Sequence, residues 1–523
     1  MGMRVTTGMA MNLYRYNLQQ ATRKKDNSMN TVITHRKFNS FGESPAAATE
    51  AWRVRRSIVN TDIYLANNDD TYTRFNIAWA TLGQVSSKLT DREGRMADIY
   101  AASDPTASGR TTLGQVLRET AVSVVQTMNG AKSGENFLFA GDDELYAPFT
   151  WGTDLWGNET LLYRGVDVNS GGVREPSVDP VPKYWGEIDP KTGLPSKMPN
   201  KIINSVDKAW AQYYEDLKTY KSDLVAYEEA NLKYQKAHAA WEEAKEAYDE
   251  AKQNGLSDEE LELLDPGAEP TFDMEKPTEP TSPAETFKTD PVDPEPKDSY
   301  NVPIDAYNIL NGVDADGNPR TVTPEERAWA EFHVDQGNAE KLRRMSEEQV
   351  PIDLGMGMLE DDQTKLIDGT YYNRALPGIN MLGFGYDEDG DPLNVCMIMR
   401  RLGEIYEDCH PETGSYDKED SSGTSDKAQA LRAEAMRLLD KLKAGQANVD
   451  GQFVEVSAKA SFLEQNQGRL DLEANYLNEK LVNIEDVDPA DAISQFMWDY
   501  TCYNAALKVG TQLLSQSLID YMN

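Results

Sequence analysis

Two stretches of the chain carry residues at alternating steps of three and four without a proline to interrupt them. The first runs Phe75, Ala78, Leu82, Val85, Leu89, Arg92, Met96 and Ile99. The second runs Leu431, Ala435, Leu438 and Leu442, then Val449, Phe453, Val456, Ala460, Leu463, Gln467, Leu470, Ala474, Leu477, Leu481 and Ile484. A mostly apolar stripe of this period, held over several heptads, is buried only against another helix. The economical arrangement lays 75–99 beside 456–484, antiparallel or nearly so. Leu82, Leu89, Leu463, Leu470 and Leu477 then share one seam, and residues 142–423 become an insertion at its far end.

Each long stripe continues toward its terminus in a shorter one. Met11, Tyr14, Leu18, Ala21, Met29 and Val32 keep helical spacing, and Ser44-Pro45 opens the long helix that follows. "SDPTASG" (103–109) interrupts that helix before another over about 110–132, and "DVDPAD" (486–491) breaks the second long helix. The tail "AALKVGTQLLSQSLIDYMN" (505–523) places Leu507, Leu514, Leu518 and Tyr521 on one stripe, with Lys508 and Asp520 its only charges in a chain of formal charge −36. The N-terminal helix is its first partner. A two-helix pair leaves apolar surface open, which asks for further copies of the chain.

The middle is of another kind. Residues 206–252 form an unbroken heptad: Val206, Trp210, Tyr213, Leu217, Tyr220, Leu224, Tyr227, Asn231, Tyr234, His238, Trp241, Lys245 and Tyr248. As a helix it would be about 70 Å long. Residues 266–303 hold nine prolines, and "KPTEPTSP" places Pro277, Pro280 and Pro283 three apart, the period of a polyproline II helix. Tyrosine is unusual in a two-stranded coiled coil, whereas pyrrolidine rings can lie on aromatic faces. The expectation is a hairpin: 255–265 turn the chain, and the proline segment runs back along the tyrosine stripe. A coiled coil with a neighbouring chain, followed by a disordered acidic linker, is the alternative. "FLFAGDDE", "TLLYRGVDV" and "GTYYNRALPGINMLGFG" suggest a small β-rich domain around this insertion.

Composition narrows the function. A 39% hydrophobic share, 27% charged residues and 25 prolines suit an elongated, solvent-rich chain of mainly α class with an inserted α/β region. Residues 201–350 hold sixteen Lys/Arg against thirty-five Asp/Glu, a net −19 that repels nucleic acid and anionic membrane. Residues 1–60 are net +7, yet their basic residues are interleaved with an apolar stripe, which reads as a solvated helix face. No apolar run reaches the ~18 residues of a membrane span, and no cleaved signal peptide is read at the N-terminus. Cys396, Cys409 and Cys502 lack zinc spacing, and His35, His238, His333 and His410 are scattered. Neither a nucleotide-binding loop nor a nucleophile elbow occurs. "DADGNPRTVTPEE" sets Asp314, Asp316, Asn318 and Glu325 at calcium-loop positions, but Pro319 stands where glycine is needed, and Thr323-Pro324 is a plain helix start. "DEDGDP" (387–392) is weaker, with Ile398 where the last carboxylate belongs. No cofactor, metal or catalytic residue is assigned.

Five segments, in order, resemble the flagellin superfamily. "MRVTTGMAMNLYRYNLQQ" (3–20) is similar to its start, and "HRKFNSFGESPAAATEA" (35–51) to the link between its terminal and long helices. "GENFLFAGDDELYAPF" (134–149) resembles the junction found in the hook-associated, hook–filament type rather than in flagellin proper. "NQGRLDLEANYLNEKLVNIEDVDPADAI" (466–493) and "YNAALKVGTQLLSQSLIDYMN" (503–523) are similar to its C-terminal rod helix and terminal helix.

The resemblance implies a non-enzymatic structural adaptor of the bacterial flagellum, extracellular after type III export without a cleaved signal. Its expected partners are other copies in a ring or helical assembly, the other hook-associated protein, flagellin and an export chaperone. Assembly helices 1–44 and 486–523 would carry the partner contacts through Met11, Tyr14, Leu18, Leu507, Leu514 and Leu518. The remaining expected divisions are rod helices 45–136 and 424–485, a split β-rich outer domain 137–180 and 350–423, and an acidic insert 181–349. A flagellin-type filament subunit with a decorating insert, and an adhesin-like stalk, are the competing readings.

Overall fold

A computed structural model describes residues 7–101, 107–175, 185–196, 203–255, 257–286, 296–361 and 366–522. Helices dominate, with small antiparallel sheets. In chain order the elements are α1 (Thr7–Thr34), α2 (Pro45–Ala101), α3 (Ala107–Gly130), β1 (Lys132–Ser133), β2 (Asn136–Phe137), β3 (Phe149–Thr153), β4 (Glu159–Tyr163) and β5 (Val166–Asp167). There follow α4 (Ser205–Gln253), α5 (Asp258–Glu262), α6 (Pro283–Thr286), α7 (Ile304–Leu310), α8 (Pro324–Ser346), β6 (Pro351–Ile352), β7 (Tyr372–Asn373), α9 (Gly378–Leu382), α10 (Val395–Glu407), α11 (Asp426–Glu485) and α12 (Pro489–Met522). The chain divides into two compact units, Met1–Phe75 with Pro351–Arg374 and Ala458–Asn523, and Asn76–Val350 with Ala375–Ser457.

In the first unit the opening turns of α2 run antiparallel to the closing turns of α11. The Arg55 guanidinium lies 2.6 Å from Glu485, and the Lys480 ammonium 3.2 Å from Glu50. Ala51, Val54, Leu463 and Leu470 are buried between them. The seam also holds two buried amides. Asn68 Nδ2 donates to the Leu463 carbonyl and Asn466 Nδ2 donates to Asn68 Oδ1, both at 2.9 Å. Residues 351–361 and 366–374 cover this stretch, with the Tyr372 ring stacked on Phe462 and edge-on to Phe75, each at 5.8 Å. Gly355 has φ 77°, and a Cβ there would crowd Tyr64, Arg469 and Leu470, so a side chain fits neither the backbone nor the space. Helix α1 lies against α12; their connections are tied by Lys37 N–H to the Glu485 carbonyl at 2.7 Å and Val487 N–H to the His35 carbonyl at 3.1 Å.

In the second unit the remainder of α2 pairs with the opening turns of α11. Trp79 stacks on Phe453 at 5.6 Å, Ser86 donates to Asp450, and Gln446 donates to Thr90 Oγ1 at 2.8 Å. This corrects the expected register. The stretch after Phe75 meets residues around 446–453 rather than 456–484. Leu82 and Leu89 are buried in this unit, while Leu463 and Leu470 are buried and Leu477 half-buried in the other. The physical reason is periodicity: a heptad stripe can slide by whole heptads with its apolar pattern intact. The polar pairs at Asn68, Ser86 and Thr90 carry the information that the stripe lacks.

Helices α3 and α10 approach closely through glycines. A Cβ at Gly114 would stand 2.7 Å from the Gly403 carbonyl oxygen, and one at Gly403 would stand 2.9 Å from that of Gly114. Asn394 caps α10 by accepting the N–H groups of Cys396 and Met397. Beside this pair sits the sheet β3–β4–β5, whose Tyr163 donates its hydroxyl to the Phe139 carbonyl at 3.0 Å.

Of the split β-rich domain expected over 137–180 and 350–423, the first part holds the sheet β3–β4–β5, and the second is corrected. Residues 351–374 group with the first unit, and 375–423 contribute α9 and α10 to the second. Over 375–423 the Gly/Asp punctuation that suggested strands builds tight turns instead, such as the one that Asp387 closes. Val395, Ile398, Met399, Leu402, Ile405 and Tyr406, buried along α10, show helical spacing that the turns around it obscured.

Candidate functional site

The assembly residues expected on α1 are half-buried rather than outward. Met11, Tyr14 and Leu18 are all partly covered, and the Tyr14 ring fills the space where Gly510 of α12 lacks a side chain. Lys25 Nζ stands 5.1 Å above the Tyr503 ring. Leu507 remains exposed at 37%, and the side chains of Leu514 and Leu518 lie outside the described residues. The outward surface is carried by other residues. Met9, Leu13, Tyr16 and Ile33 on α1, and Ile493, Met497, Trp498 and Tyr500 on α12, are exposed; Trp498 is 67% accessible. Trp52, Leu472 and Tyr476 are exposed in the same unit, and Phe41 and Trp52 line a cleft of about 500 Å³. Such a surplus exceeds the scattered apolar exposure of an ordinary monomer. Sequence reasoning selected the stripe that pairs α1 with α12 and missed the opposite faces, whose apolar residues alternate with Arg, Lys, Asn and Asp.

In the acidic insert, Tyr213 and Tyr220 pack on a cluster of Trp185, Val206, Trp210, Tyr214, Leu217 and Ala328. Further along α4, Tyr227 and Tyr234 both face Phe272, at 5.4 and 5.5 Å. Trp241 donates its indole N–H to the Gly267 carbonyl at 3.1 Å, and His238 Nε2 lies 3.3 Å from the Glu269 carboxylate. Tyr248 is half-buried, with Lys252 Nζ 6.0 Å from its ring. Segment 266–282 therefore runs back along the helix. Pro277 and Pro280 are half-buried and Pro283 buried, while the residues between 277 and 280 are exposed. Phe272 is the contact that sequence reasoning missed, although it is the one aromatic among the early prolines. Replacing Pro277, Pro280 and Pro283 together with serine is expected to loosen the returning segment. Faster proteolysis across 206–252 checks it; an unchanged cleavage rate would mean that the prolines contribute nothing.

The acidic turns share one geometry. Asp154, Asp298, Asp314 and Asp387 each use Oδ1 to accept the backbone N–H groups two and four residues on, at 2.8–3.0 Å. Pro303, Pro319 and Pro392 close three of these turns by pairing with Lys297, Val313 and Tyr386. The carboxylate that would begin a calcium loop at Asp314 thus organises its own turn, and Thr323 and Glu326 form a capping box for α8. Among the described residues, Asp387, Asp389 and Asp391 are the three carboxylates gathered closely enough for a metal ion. The Lys441 ammonium stands between them, 2.5 Å from Asp387, 3.4 Å from Asp389 and closer still to Asp391, and Arg437 lies 3.2 Å from Asp391.

One buried acid sets a pH dependence. Asp335 on α8 accepts the N–H groups of Gly171 and Val173 at 2.9 and 3.0 Å. Burial outweighs those bonds and pushes its carboxyl up to about 6. Because the unfolded chain loses this proton first, near pH 4, the group's contribution is full below that and falls as pH rises through about 6. Asp335→Asn keeps an oxygen for both N–H groups. It is expected to raise the melting temperature at pH 7.5 and to flatten its fall between pH 4 and 7, as calorimetry at several pH values would show.

Among the described residues no helix is long and apolar enough to cross a membrane. No protein-family model matches the chain, and comparison with curated proteins finds no match.

Proposed function

We propose that the chain is a structural subunit of the flagellin superfamily, of the kind that adapts a hook-associated ring to the filament. The observation that carries this reading is the exposed apolar surface of α1 and α12, with Leu13 at 61% and Trp498 at 67% accessibility. Exposed faces of this kind are covered when several copies of a helix pair stand side by side. The quoted resemblance at residues 3–20, 35–51, 134–149, 466–493 and 503–523 supplies the family. On this reading the protein travels through the flagellar type III channel and a chaperone covers the terminal helices beforehand. It then joins copies of itself between the other hook-associated protein and flagellin. The helix pairs built from α2 and α11 form a rod, and α4 with its proline strand forms a stalk that extends the insert. The role is mechanical and requires no catalysis. Deleting the gene is expected to leave hooks without filaments and to shed flagellin into the medium. Full-length filaments on the deletion strain would overturn the reading.

A further inference from the structure

A polar cavity of about 440 Å³ lies in the second unit, walled by the β3–β4 turn, β4, β5 and the loop after it, α8 and α10. Its volume falls in the roughly 300–1,000 Å³ range of small-molecule sites. Asn169 is 8% exposed; its Nδ2 donates to Thr160 Oγ1 at 3.5 Å, while its Oδ1 accepts no hydrogen bond from the protein. A buried amide oxygen without a donor is costly unless a ligand or water supplies one. Across the cavity, Arg400 is held by Glu159 at 2.5 Å and lies 5.3 Å from the Trp151 ring, and its Nε stands 3.6 Å from the Glu404 carboxylate.

The remaining wall narrows the ligand's chemistry. Carboxylates outnumber the two arginines, which disfavours phosphate and other anions. Those carboxylates are also engaged: Asp154 holds its own turn, Asp167 accepts Thr160 Oγ1 at 2.7 Å and Asn169 N–H at 3.0 Å, and Asp335 holds two N–H groups. They form no metal-ligand group. Trp156 and Tyr386 add aromatic surface, and Tyr386 is seated so closely on Gly172 that a Cβ there would meet its ring at 2.3 Å. A buried unpaired acceptor beside flat apolar rings suits a ligand with hydroxyl groups on its rim and C–H groups on its face.

We propose that this cavity binds one neutral sugar residue of a glycan, with a sugar hydroxyl donating to Asn169 Oδ1. The inference does not depend on the flagellar reading. The test uses the full-length protein with D-glucose, D-galactose, D-mannose and N-acetyl-D-glucosamine as separate probes in saturation-transfer NMR titrations, and with sialyllactose and spermidine as charged probes. At least one neutral sugar is expected to bind saturably in the millimolar range. Asn169→Leu should weaken it about tenfold, the loss of one useful hydrogen bond. Trp156→Ala, at a half-buried position, should weaken it similarly and serves if the Asn169 variant does not fold. No saturable neutral sugar, spermidine binding with every sugar silent, or sugar binding that survives the folded variants unchanged would each overturn the proposal.

Discussion

Arg401→Ala is expected to lower the stability of the second unit by about 3–5 kcal/mol, because it removes one partner of a buried ion pair. Arg401 and Glu434 form a two-pronged pair between α10 and α11, at 2.7 and 3.3 Å, and the Glu434 side chain is 1% exposed. The guanidinium also lies 3.4 Å from Glu404 and leans on it for part of its own charge balance. Removing the arginine takes two hydrogen bonds from the Glu434 carboxylate in a nearly dry site, where solvent does not easily replace them. The double variant Arg401→Met with Glu434→Leu removes both charges and should recover most of the loss. Urea denaturation followed by circular dichroism reads both. A single variant within roughly 0.5 kcal/mol of the parent would show that the pair is solvated in solution.

Leu470→Ala should cost the first unit about 2–5 kcal/mol. The leucine is fully buried on α11, and one of its methyl groups packs where a Cβ at Gly355 would otherwise sit. Glycine holds that loop at a positive φ, so the loop has little freedom to collapse into the space left behind. A cavity that cannot close carries the upper part of the cost. The check is the melting temperature of the variant by calorimetry. An unchanged value would mean that the seam between 50–75 and 458–485 does not hold in solution.

How much of this was legible depended on whether a local pattern was enough. Pro45, Thr323-Pro324 and the break at 486–489 mark helix boundaries within a few residues of the signal, and the structure places them there. The stripe at 431–484 declared a helix that must pair. It did not declare where along α2 it pairs, since the register rests on polar contacts such as those of Asn68, Ser86 and Thr90, whose partners lie more than 350 residues away. The turns at Asp314 and Asp387 were visible, but an aspartate that folds its own loop and one that begins a metal loop share the same spacing. The cavity was invisible for a different reason. Asn169, Asp335, Tyr386 and Arg400 come from separate parts of the chain, and no periodicity relates them.

The amide chain from Asn466 to Asn68 to the Leu463 carbonyl has a kinetic meaning as well as a static one. Long striped helices meeting in a collapsing chain have several alignments, each one heptad apart and each nearly dry. Only one of them places amide against amide; every other strands polar groups among leucines. The hydrogen bonds at 2.9 Å therefore add little depth to the final alignment but raise the energy of its neighbours. A chain that pairs wrongly has a reason to let go and try again, and wrongly paired copies have less opportunity to accumulate.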